Sequence, residues 1–176
     1  MTVTEQTTLT GERADLLEML AQHRHFLRFT TRDLTDEQAG ARTTASELCL
    51  GGLVKHVASV ERGWAAFILE GPSAMGDFDD MTEEDFAKRN DEFRMLPTDT
   101  LAGVLADYAE VARRTDELVA SLPDLDAVQP LPKAPWFKDA HWSARRVFMH
   151  IIAETAQHAG HADIIRESLD GSKSMG

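Results

Sequence analysis

Glu154, His158 and His161 stand four and three residues apart in the stretch Val147–Arg166. At helical period, one face of that stretch runs Val147, Ile151, Glu154, His158, His161, Ile165, the spacing of a buried seam. A core would place Leu or Val at the middle three positions. Burying a neutral polar group without a partner costs roughly 2–7 kcal/mol, and a charge more. A divalent cation held by the carboxylate and the imidazoles is the simplest compensation. Residues three and four apart on a helix are neighbours, so Glu154 with His158, and His158 with His161, can each grip one ion. His150, four before Glu154, is placed to extend the seam or supply an outer hydrogen bond, but reads first as packing at the seam's edge. The competing reading is a metal-free cluster in which Glu154 pairs with protonated histidines.

A metal on this helix needs a donor from another element. His56 is the candidate, beside an apolar stripe of Leu53, Val57, Val60, Trp64 and Phe67. With two ligands from the seam it would make three, and three protein ligands plus an open position is the pattern of a catalytic zinc. Zinc is the expected ion, although imidazole and carboxylate also suit nickel, iron, manganese and cobalt.

The scaffold reads as helical throughout. Thr10, as a half-made cap, opens a first helix from Gly11 to about Leu34. Its histidines, His23 and His25, read as surface or rim residues. Thr35 to Thr44 reads as a connection. Thr44 or Ser46 caps a second helix that ends at Gly71-Pro72. Thr82-Glu-Glu-Asp85 is a capping-box start for a short helix through Lys88 or Asn90. A third long helix spans about 98–121, and Gly171 closes the last. Pro123, Pro130, Pro132 and Pro135 leave residues 123–141 unsuited to helix or central strand. Four long helices and no strand pattern predict an all-α, antiparallel four-helix bundle, with a long Pro-rich loop before its last helix. Residues 1–176 read as one domain.

The net charge of −12 argues against nucleic acid and anionic membranes as partners. Between Asp77 and Asp99 stand nine acids against three bases, which reads as a solvated connecting segment. The single cysteine, Cys49, has no flanking base and reads as a buried structural thiol. One cysteine, no signal-peptide pattern and no long apolar run lead to the expectation of a cytoplasmic protein.

Two motifs carry a family resemblance. Val54-Lys-His-Val-Ala-Ser-Val-Glu-Arg-Gly-Trp64, together with His150-Ile-Ile-Ala-Glu-Thr-Ala-Gln-His-Ala-Gly-His-Ala-Asp163, resembles the DinB/YfiT-like metalloprotein superfamily, most closely its actinobacterial, mycothiol-related branch. The likeness runs over essentially the whole chain and is specific in those two motifs. It implies a four-helix bundle, often dimeric, with a divalent metal on one His of the second helix and two residues of the last. In related members those two are His or Glu followed by His four later, which maps onto Glu154 and His158 with His56. The further imidazole at His161 leaves open whether Glu154 or His161 completes the first shell.

The resemblance also implies a metal-dependent transferase using a low-molecular-weight thiol such as mycothiol on a small electrophilic substrate. A thiol sulfur on the open metal position would have its pKa lowered and be thiolate at neutral pH. Trp64, Trp136 and Trp142 are the expected lining, and Arg145 or Arg62 the expected hold on an anionic substrate group. One alternative is a hydrolase in which metal-bound water attacks, with Glu154 as general base if it is not a ligand. Another is a non-catalytic site closed by His56, Glu154, His158 and His161 together.

Overall fold

The computed structural model describes residues 10–76 and 81–174. The expected lead-in over residues 1–9, the acids Asp77, Asp79 and Asp80, and the last two residues of the tail lie outside them. The described chain is mostly helical. Its order is α1 (Glu12–Phe29), α2 (Asp36–Gly40), α3 (Leu50–Glu70), a 3-10 turn (Gly71–Ala74), α4 (Glu83–Glu92), α5 (Leu101–Ser121), β1 (Val128–Pro130), β2 (His141–Ser143) and α6 (Ala144–Asp170). No described helix is long and apolar enough to cross a membrane.

Several helix ends differ from the sequence reading. Thr10 does not cap α1. The cap position falls to Gly11, at φ 65°, a backbone conformation that suits glycine. Thr44 and Ser46 do not cap α3 either; their hydroxyls accept from the amides of Ser46 and Leu48 within the preceding loop, and α3 starts after Cys49. Residues 35–44 contain the short α2, with Thr35 and Gln38 forming a reciprocal capping box. The box at Thr82 and Asp85 forms as expected, and α4 runs on to Glu92. Ser143 caps α6, and Gly171, at φ 80°, closes it.

Strands β1 and β2 form an antiparallel ribbon inside the Pro-rich loop, where only loop was expected. Both strands are edges, so Pro130 leaves no ladder donor missing from a sheet interior. The ribbon lies against the end of α3, where Gln129 donates to the carbonyl of Ile68 at 3.3 Å. Its register pairs Gln129 with Trp142 and so fixes where that indole stands.

Each long helix packs on two others: α1 on α6 and α5, and α3 on α5 and α6. Their apolar faces build two core clusters. One holds Leu16, Leu20, Trp64, Phe67, Val119, Phe148 and Ile151; the other holds Leu27, Leu53, Val57, Tyr108, Ala162 and Ile165. Reading these clusters along each helix gives its direction. Helices α1 and α6 run from the first cluster to the second, whereas α3 and α5 run from the second to the first. The antiparallel expectation therefore holds for the pairs α3/α6 and α1/α5, and not for α1/α6 and α3/α5. Between α3 and α5, α4 packs back on α3, and Phe93 and Met95 after it lie against the second cluster, where α5 begins.

Between the two clusters every long helix contributes buried polar residues: Arg24, Glu61, Thr115 and Thr155. Arg24, 2% exposed, grips the fully buried Glu61 through two hydrogen bonds of 2.5 and 3.2 Å, and also reaches Asp116 at 2.7 Å. In the sequence, Arg24 and Glu61 interrupt apolar stripes much as Glu154 does. Here the compensation is an ion pair between helices.

Candidate metal centre

The stripe of α6 faces two surroundings. Val147, Ile151 and Ile165 are fully buried, while Glu154, His158 and His161 lie at the margin of the packed face, where the buried positions are Thr155, Ala159 and Ala162. Side-chain exposure is 29% for Glu154 and 12% for His158. The seam thus leaves the core over its middle three residues and borders a space that α3 reaches from the other side.

His56 of α3 enters that space. One donor atom from each of His56, Glu154 and His158 lies within 4.8 Å of the other two. The His56 and His158 rings stand edge to face, with centroids 4.8 Å apart. A Glu154 oxygen is 3.7 Å from His158 Nε2, and its other oxygen is 3.7 Å from His150 Nε2. His158 is the strongest influence on that carboxyl and lowers its pKa, burial opposes this, and the charges of His150, His158 and His56 lower it further. Glu154 is therefore a carboxylate at neutral pH. Among the described residues its ion-pair partners are His150 and His158, with no Lys or Arg among them.

The three donors suit a divalent cation: two nitrogens and an anionic oxygen from two helices, gathered but not bonded to one another. Nδ1 of His56 is buried and has no hydrogen-bond partner. Such an atom in a dry position costs free energy until a partner accepts its proton, which leaves the ring's other nitrogen as the one available to a cation. His161 stands outside the convergence. Its Nδ1 lies 3.4 Å from Nδ1 of His158, on the opposite edge of that ring from Glu154.

Next to the three donors lies an aromatic wall. Trp64 stacks on Trp142 at 4.8 Å with their planes 17° apart, and His150 meets both indoles edge-on. Phe137 packs on both indoles, whereas the ring of Trp136 is exposed. A cleft of about 620 Å³ opens from His56 along Val60, Trp64, Met75 and Met81. Arg145, expected at an anionic substrate, is engaged elsewhere: its guanidinium bridges Glu12 and Asp126 and ties α1 to the loop before β1. Arg62 is paired with Asp107 at 2.7 Å.

Glu92 and Phe93 border the centre without having been singled out in the sequence. Phe93 stacks on the His56 ring at 4.0 Å, and Glu92 approaches its Nδ1. Both come from the acidic segment that reads as solvated connection. The alternation of charge along α4 carries no sign of which side meets α3, so spacing alone had nothing to offer there. His23 is half-buried and His25 exposed on α1, as expected of rim residues.

No curated protein matches the chain. The mycothiol-S-transferase family model matches residues 15–171, and the chain belongs to that family.

Proposed function

We propose that this chain is a divalent-metal-dependent thiol-S-transferase that joins mycothiol, or a low-molecular-weight thiol like it, to a small electrophile. The observation that carries the reading is the meeting of His56, Glu154 and His158 beside an open cleft, in a chain of this family. The four long helices are read as a four-helix bundle, the whole chain as one domain, and the assembly as a homodimer.

His56, Glu154 and His158 would hold the ion, with zinc first in expectation. Bound there, it would lower the pKa of a coordinated thiol and favour thiolate at neutral pH. Each residue then has a defined task. The Glu154 carboxylate supplies the negative charge that a neutral pair of imidazoles lacks. His161, against Nδ1 of His158, fixes the tautomer in which Nε2 carries the lone pair toward the centre. Trp64, Trp142 and Phe137 form an apolar wall that excludes water from one side of the electrophile. In the reaction a sulfur–carbon bond forms, the leaving group departs with its bonding pair, and the thiol proton passes to solvent. Arg145 has no part in this reading, because two carboxylates already occupy it.

The test is consumption of mycothiol with a reactive alkyl halide by zinc-loaded protein. The expected result is metal-dependent thioether formation, lost in His158→Ala. Equal turnover by that variant would overturn the reading. Product formation that needs no added thiol would replace it with hydrolysis.

A further inference from the structure

The end of α4 and the residues after it are anchored on α3, around His56. Lys55 donates to the carbonyls of Asp91 at 3.3 Å and Arg94 at 2.9 Å, and to the Asp99 carboxylate at 2.5 Å. Gly52 has no side chain, and a Cβ there would run into the backbone carbonyl of Phe93. Ser59 donates to one Glu92 oxygen at 2.7 Å. Gly52, Lys55, His56 and Ser59 follow at steps of three, one and three residues, so a single face of α3 holds this end.

What the anchoring achieves is seen at the imidazole. Phe93 covers a face of His56, with ring centroids 4.0 Å apart and planes 25° apart. The second Glu92 oxygen points at His56 Nδ1 from 3.6 Å, and that buried nitrogen has no closer partner. Glu92 itself is not among the groups that converge with Glu154 and His158. Its carboxylate therefore addresses the outer edge of the ring, not the space where the three donors meet.

We infer that Glu92 is a positioning residue for His56: it accepts the Nδ1 proton, selects the tautomer that offers Nε2 to a metal, and with Phe93 holds the ring in place. The inference rests on the proposed metal site, and it assigns to α4 a task that nothing in its exposed, charged sequence announces. A carboxylate behind a ligating imidazole raises the basicity of the ligand and fixes its orientation, and loss of such a partner typically weakens metal binding about 10- to 100-fold.

The experiment measures Zn2+ affinity of the metal-free full chain by competition with a chromogenic chelator, alongside the thermal midpoint of the metal-free protein and the visible spectrum of the Co2+ form. Glu92→Ala should bind Zn2+ about 10- to 100-fold more weakly. Its metal-free melting should stay close to wild type, and its Co2+ spectrum should keep its shape because the ligands are unchanged. Glu92→Gln retains an acceptor oxygen and should recover much of the affinity; Ser59→Ala should lose less than Glu92→Ala. Wild-type affinity in Glu92→Ala would overturn the inference. So would a changed Co2+ spectrum, which would make Glu92 a direct ligand, or an affinity loss that follows destabilisation of the metal-free protein and is not restored by Gln. If the wild-type chain takes up no metal, the reading of the site itself fails, and this inference with it.

Discussion

His161 stands 3.4 Å from His158, Nδ1 to Nδ1, while Nε2 of His158 faces Glu154. That arrangement separates two residues that spacing on α6 treats alike. His161→Ala should keep one bound metal per chain and lose about tenfold or more in affinity, as expected for an outer partner. Replacing His56, Glu154 or His158 by Ala should remove stoichiometric binding altogether. Elemental analysis after gel filtration distinguishes the two outcomes.

Metal uptake should also weaken in acid, because the ligating imidazoles must be deprotonated to bind. A further pH effect belongs to His150. Burial is the main cause that pushes its pKa below 6.5; Glu154 opposes this and Arg146 adds to it. A proton is thus harder to place on His150 in the folded chain than in the unfolded one. Just below pH 6.5 the unfolded state binds more protons, so stability falls as the pH drops from about 6.5 toward the lowered value. In the metal-free protein, His150→Phe keeps a ring against Trp64 and Trp142 and should show a shallower fall between pH 7 and 5 in urea titrations.

The Arg24–Glu61 pair gives a prediction of stability without chemistry. Glu61→Ala leaves a buried guanidinium whose remaining partner, Asp116, is half-exposed, and should cost about 3–5 kcal/mol. Arg24→Met combined with Glu61→Leu removes both charges and should recover most of that loss. Chemical denaturation of the two variants measures the difference.

Neighbouring glycines should respond differently. At Gly52 a Cβ meets the backbone carbonyl of Phe93, whereas at Gly51 it meets the flexible end of Met95. Gly52→Ala should therefore destabilise by about 1–3 kcal/mol or more, as overpacking does, and Gly51→Ala by less. Because Phe93 covers His56, Gly52→Ala should also weaken metal binding. Thermal melts and chelator competition on both variants check the pair.

Much of the candidate site was legible on α6 and α3. The steps from Ile151 to Glu154 to His158 place a carboxylate and an imidazole on one helical face, and the stripe from Leu53 to Phe67 sets His56 beside a packed surface. These are consequences of a 3.6-residue period and need no knowledge of neighbours. The same reasoning gave Glu61 no role, although it interrupts a stripe in the same way; it shows that a polar residue in an apolar seam calls for a partner without saying whether that partner is an ion or an arginine.

Local rules also located the capping box at Thr82, the closing glycine at Gly171 and the long helices themselves, since caps, breakers and periodicity act within a few residues of sequence. Contacts between elements distant in the chain follow other causes. The direction of α5, the approach of Glu92 to His56, the occupation of Arg145 by Glu12 and Asp126, and the separation of His161 from Glu154 all depend on how rigid helices dock. Docking is set by side-chain shape summed over whole faces, and a single residue type or spacing does not encode that sum.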